Sequence, residues 1–244
     1  MTRQNVYDDE AFFGGYQQLR DSESGINAAV EQPALRALLP DVTGATVLDL
    51  GCGDGALARE LAARGATRVL AADPSRRMLA LGRDRTSGSR VGYVQAFAED
   101  LALRDGRIDL VVSSLAFHYV ADLGAVLDRV ARWLRPGGGL MASMEHPMRT
   151  AELERRDDPA VAGRYDIEGR RDQSWFVDGV VKYHRRVSTL LNLVLAAGLE
   201  LLAVGEPGPT PAALAARPEL DRHHRQPPIL VLAAARPAQP GEFH

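Results

Sequence analysis

Three glycines at alternate positions, Gly51, Gly53 and Gly55, follow the apolar run Thr46-Val47-Leu48-Asp49-Leu50. A helical pattern through Leu57, Leu61 and Ala62 comes next. Glycine lets a backbone turn sharply and lets a ligand approach closely. The first N–H groups of a helix have no partner within it. A strand, a glycine turn and a helix start together make a nucleotide-type site, and Gly51, Gly53 and Ala56 even satisfy the G-x-G-x-x-A dinucleotide variant. The loop alone leaves its ligand open.

Two carboxylates narrow the choice. Asp49 sits inside the apolar strand, where burial is costly unless the group is hydrogen-bonded or paired. Asp73 ends the next apolar run, Arg68-Val69-Leu70-Ala71-Ala72, and there can accept hydrogen bonds from both hydroxyls of a ribose. S-adenosylmethionine carries an ammonium and a sulfonium, so an acidic floor suits it. An NAD(P)-dependent oxidoreductase would explain the glycines and Asp73 but not Asp49.

The segment Val47-Leu48-Asp49-Leu50-Gly51-Cys52-Gly53-Asp54-Gly55 resembles the first motif of the class I S-adenosylmethionine-dependent methyltransferases. Ala72-Asp73-Pro74-Ser75 with Met78-Leu79 resembles their second-strand segment, and Ala98-Glu99-Asp100-Leu101 their adenine-side motif. Ile108-Asp109-Leu110-Val111-Val112-Ser113-Ser114 resembles the fourth-strand motif, and Leu134-Arg135-Pro136-Gly137-Gly138-Gly139 the turn before strand five. The five stand in the family's order and spacing. His118-Tyr119-Val120, Glu145-His146-Pro147 and Val181-Lys182-Tyr183-His184-Arg185 resemble a bacterial small-molecule subgroup, the type 11-like methyltransferases. The resemblance implies S-adenosylmethionine as cofactor, its methionyl part along Gly51, Cys52 and Gly53 over Asp49. It implies ribose on Asp73 with Pro74 and Met78 in the same segment, adenine bordered by Ala98 and Glu99, and Ser113 near the methionyl ammonium. Tyr16 and Arg20, on N-terminal helices that often close over the cofactor in this fold, become candidates for its carboxylate. Relatives often carry Asp just before the Ala-Glu segment; Phe97 stands there, which implies apolar contact instead.

Methyl transfer is an in-line displacement, so the protein must align the acceptor, exclude water and sometimes remove a proton. No catalytic triad is apparent. His118 follows the fourth strand and His146 the fifth, at the carboxyl edge where open α/β sheets bind ligands; these two are the candidate catalytic residues. Glu145, Trp175, Tyr183 and His184 join them as candidate acceptor contacts. The expected acceptor is a small molecule taking the methyl group on O or N. A protein that binds S-adenosylmethionine without methyl transfer is the alternative. His223-His224 lies in a Pro-bounded loop, and no metal site is expected.

The elements that must hold these residues alternate strand and helix from Ala45 onward, which implies a parallel sheet covered on both faces. The fold class is α/β: a Rossmann-like, doubly wound, seven-stranded sheet, mostly parallel with an antiparallel last strand. The chain reads as one domain over 1–244. Helices cap it at 1–43, the cofactor half spans 44–145, a lid insertion without clear period spans 146–186, and a helix and strands close it at 187–236.

Composition bounds the partners. Hydrophobic residues make up 45% of 244, enough for a full core, and the formal net charge of −3 with no basic stripe speaks against nucleic acid. No apolar run is long enough to span a bilayer, and the start lacks a signal-peptide pattern. Cys52 is the only cysteine, which suits a reducing cytoplasm. Lys182 is the only lysine among 29 Lys and Arg residues, and the Arg- and Ala-rich bias suits a bacterial genome.

Overall fold

The computed structural model describes residues 4–21 and 25–238. A 3-10 turn, Val6–Asp8, leads into α1 (Glu10–Asp21); a wide π-helical stretch, Asn27–Glu31, runs into α2 (Gln32–Leu38), with Pro33 in its first turn where a missing N–H costs nothing. Then come β1 (Thr46–Leu50), α3 (Ala56–Ala63), β2 (Arg68–Asp73), α4 (Arg76–Asp84), β3 (Val91–Gln95) and β4 (Ile108–Ser114). They are followed by α5 (Leu123–Trp133), β5 (Leu134–Glu145), α6 (Pro147–Ala151), β6 (Gly169–Trp175) and β7 (Val177–His184). The chain closes with α7 (Val187–Ala196), β8 (Glu200–Gly205), α8 (Pro211–Ala216) and β9 (Ile229–Ala235).

The main sheet has seven strands in the order β3-β2-β1-β4-β5-β9-β8. The first five are parallel; β9 runs antiparallel between β5 and β8. The expected fold class is therefore present, with the antiparallel strand last in sequence but interior in space. Strand alternation divides the core. Leu48 and Leu50 face a cluster with Val126, Leu127, Val130 and Leu190, whereas Val47 packs with Leu35, Leu61, Val69 and Val112 on the other face. Helix α5 supplies its side of the first cluster through Leu123, Val126, Leu127, Val130 and Trp133, and Asp122 caps it by accepting from the Ala125 N–H at 3.0 Å.

Two expectations change. The turn at 134–139 lies inside β5 as a bulge: Ile108 pairs with Leu134 but Leu110 pairs with Gly139, and Gly137 takes φ 77°. The insertion is not aperiodic. Its second half is an antiparallel hairpin, β6–β7, pairing Gly169 with His184 through Trp175 with Val177. The buried residues of β7 are Val180, Lys182 and His184, and that of β6 is Arg171. Polar side chains on the inward face hid the period of two.

Candidate active site

The glycine loop leaves β1 where the strand order reverses between β1 and β4, the point at which open α/β sheets form a crevice. Gly51, Gly53 and Gly55 all have positive φ, 80°, 55° and 71°. A Cβ on Gly51 would stand 2.3 Å from that of Ala116, so this position needs glycine for space as well as conformation. The Gly51 and Cys52 N–H groups donate to the Ala72 carbonyl at 2.8 and 3.1 Å, tying the loop to β2.

Asp73 is held from both sides. The Gly53 N–H donates to Oδ2 at 2.9 Å and the Ser75 N–H to Oδ1 at 2.8 Å. Each oxygen keeps a lone pair for a ligand hydroxyl. Asp49 is 1% exposed, and its Oδ2 has no hydrogen-bond partner among the described residues. Burial, reinforced by Asp73, Asp54 and Glu31, pushes its carboxyl up to about 7, although the Ala58 N–H works the other way. Burial likewise raises Asp73 to about 6 against its two N–H donors. Cys52 lies beside them; burial and the same carboxylates raise its thiol, so it stays protonated and is no nucleophile.

This floor opens into a cavity of about 1540 Å³, beyond the roughly 300–1,000 Å³ of a usual small-ligand site. Gly51, Cys52, Gly53, Asp73, Pro74, Met78, Phe97, Ala98 and Glu99 all line it. Ser113 does not. Its hydroxyl donates to the Leu50 carbonyl at 2.9 Å inside the sheet, and strand alternation gives the cavity Ser114 instead. Leu115 follows with φ 52°, a strained conformation for a non-glycine residue and a mark of functional loops. The side chains of Tyr16 and Arg20 lie outside the described residues.

The candidate acceptor contacts divide. His118, Glu145, Trp175 and Tyr183 line the same cavity. His118 is buried, its Nδ1 accepts from the Glu145 N–H at 3.3 Å, and burial holds its pKa down at about 3. The neutral ring then carries its proton on Nε2 and is a donor. His146 and His184 are not brought to the cavity. His146, 2% exposed, accepts the Met148 N–H at 3.1 Å as the cap of α6, and its Nε2 meets Glu206 Oε1 at 2.8 Å. Both ring nitrogens are thus engaged in holding the fold, which replaces the catalytic role expected of this residue. His184 donates from Nε2 to the Tyr165 carbonyl at 3.0 Å, and its Nδ1 takes the Thr150 hydroxyl at 2.9 Å. It ties β7 to α6.

The sequence reading passed over Lys182. It is 1% exposed, and its Nζ lies 2.7 Å from Glu145 Oε1, 5.4 Å from the Trp175 ring and 5.8 Å from the Tyr119 ring. Burial opposes the Glu145 charge, but the Lys182 charge and hydrogen bond and the Arg149 charge hold the carboxyl low, so the ion pair is charged. The available signal was its singularity in an arginine-rich chain. Also unanticipated is an N-terminal strap. The Gln4 side chain donates to the Gly179 carbonyl and accepts from the Val181 N–H, both at 2.7 Å, as an added strand would. Asp8 accepts from the Ser75 hydroxyl at 2.7 Å and from the Arg76 and Arg77 N–H groups at the head of α4. Phe12 packs edge-on against Trp175 and Phe176 at the hairpin tip.

S-adenosylmethionine fits these residues on two observations. Two buried carboxylates, Asp49 with an unpartnered oxygen and Asp73 beside it, form a floor complementary to a cation, and Asp73 retains acceptor capacity at the end of β2. No cluster of His, Cys, Asp or Glu able to hold a metal occurs among the described residues, and none of their helices is long and apolar enough to cross a membrane.

A family model described as "Methyltransferase domain" matches residues 47–138. A crystal structure of an S-adenosylmethionine-dependent methyltransferase from Mesorhizobium loti is 40% identical, with a TM-score of 0.80, over 87% of this chain and all of that one. A protein of Haemophilus influenzae is 32% identical over 95% of this chain and 97% of its own length. A ubiquinone biosynthesis O-methyltransferase of Rhizobium leguminosarum is 35% identical over 163 residues, which span 65% of this chain and 60% of that enzyme.

Proposed function

The chain belongs to the class I S-adenosylmethionine-dependent methyltransferases, and from that premise we propose that it methylates an O or N atom of a small molecule. The observation that carries this reading is one cavity lined both by the donor loop, 51–53, and by His118, Tyr119, Glu145, Trp175, Lys182 and Tyr183. S-adenosylmethionine supplies a methyl group already made electrophilic by its sulfonium. What remains for the protein is alignment and exclusion of water. Asp73 takes the ribose, the Asp49 floor faces the positive end, and Phe97, Ala98 and Glu99 border the adenine. His118 offers Nε2–H to the acceptor rather than acting as a base, and Glu145, charged and paired with Lys182, lines the acceptor side. The insertion at 146–186 acts as a lid: its hairpin, clasped by the strap, closes the acceptor side and selects what enters. A small acceptor suits a surface of net charge −3 better than a nucleic acid does. The ubiquinone relative acts on oxygen, and its likeness over 163 residues favours O among the two atoms.

Calorimetric titration with S-adenosylmethionine, followed by assay of S-adenosylhomocysteine release on a panel of phenols, amines and acids, tests the reading. Binding together with turnover of a panel member is expected. Tight binding with no product on any acceptor would favour a non-methylating role, and unchanged binding in Asp73→Ala would remove the assigned donor site.

A further inference from the structure

The charges around Glu145 do not balance. Lys182 has three N–H donors, and Glu145 Oε1 is its one hydrogen-bond acceptor among the described residues. The same oxygen lies 3.8 Å from Arg149 Nε. Arg185, bonded to the carbonyl oxygens of Val120 and Ala121 at 2.6 and 2.8 Å, faces the Glu168 and Asp122 charges instead. Two cations therefore share one carboxylate, and His118 adds no charge. The donor side of the same cavity is the reverse, with Asp49, Asp73 and Glu99 along it, while Asp54 is paired with Arg59 and Arg85. A buried ammonium with partners for only part of its donors is costly, and an ion pair serving structure alone is often no better than apolar packing. The chain uses arginine at every other basic position it does not leave to histidine. The lysine supplies a compact charge on a flexible stem, with rotatable donors beyond the one given to Glu145. Tyr119 and Trp175 flank it with aromatic faces.

We propose that the methyl acceptor is an aromatic acid whose oxyanion is held by Lys182 with Arg149, its ring beside Tyr119 and Trp175. The proposal rests on the methyltransferase reading only in leaving the rest of the cavity to the donor. Glu145 is a positioning residue in this account: it holds the lysine head in place and keeps it charged.

The test is calorimetric titration of the full chain, saturated with S-adenosylhomocysteine, with benzoate and with its neutral isostere benzamide. Benzoate is expected to bind roughly tenfold or more tightly than benzamide, as for a charge-assisted contact, and to weaken with added salt. Lys182→Gln should abolish that preference while S-adenosylhomocysteine affinity stays near wild type. Equal binding of the two probes, or of neither, overturns the proposal and leaves the methyltransferase reading standing. If Lys182→Gln weakens S-adenosylhomocysteine as much as benzoate, the lysine serves the donor's own carboxylate and the proposal fails. Arg149→Gln, at an exposed position, provides a second variant should Lys182→Gln not fold: an unchanged benzoate affinity there overturns the assignment. If S-adenosylhomocysteine does not bind at all, the methyltransferase reading falls, and benzoate against benzamide on the protein alone still decides this one.

Discussion

Asp49 and Asp73 are carboxyls placed where their charge is expensive until a cation arrives. Their folded pKa values, about 7 and about 6, lie above the ordinary 3.8, chiefly through burial. An acid whose pKa is raised by folding stays protonated in the native state while its unfolded counterpart ionises. Cofactor-free stability therefore falls as pH rises from about 4 to 7 and levels off above. A bound sulfonium and ammonium reverse that penalty, so binding of S-adenosylmethionine should release protons and tighten as pH rises to about 7, then level off. Calorimetry in buffers of different ionisation enthalpy measures the release; Asp49→Asn should abolish most of it, and a flat affinity profile in wild type would contradict the assignment. His146 poses the opposite case. Its removal as His146→Ala should cost about 1 kcal/mol, as loss of a helix cap does, with donor affinity unchanged. A large loss of turnover without loss of stability would return it to the chemistry.

At the scale of elements, the glycine loop is built for one backbone path. Gly51→Ala forces a Cβ to within 2.3 Å of Ala116 at φ 80°, so S-adenosylmethionine binding should fall at least tenfold by calorimetry even where the protein still folds. The hairpin and strap make a separate unit. Gln4 pairs with the edge of β7, and Phe12 packs with Trp175 and Phe176. Gln4→Ala should speed hydrogen exchange at the Val181 N–H while leaving donor affinity near wild type, because Asp8 still caps α4. Helix α5 was legible in the sequence because its buried stripe is apolar at helical spacing. The hairpin was not, because Arg171, Lys182 and His184 occupy its inward face.

For the whole molecule, the donor site draws on β1, β2, the head of α3 and the N-terminal strap at once, so ligand binding should be felt as global stability. At a hundredfold excess over Kd the linkage is about 2.7 kcal/mol, which for a chain of this length is a rise in Tm of about 5–10 °C by differential scanning fluorimetry. The order of glycines, carboxylates and apolar runs between Val47 and Glu145 determined the cofactor half, because strand and helix periods and the demands of a tight turn are local properties of the chain. Tertiary structure alone decided which polar residues face the cavity. Ser114 replaces Ser113 because a strand turns alternate side chains to opposite faces. His146 and His184 are spent on α6 and its neighbours, while Lys182 meets Glu145 from 37 residues away across the site. Such pairings depend on how the hairpin packs against the end of β5, and spacing along the chain carries no record of that.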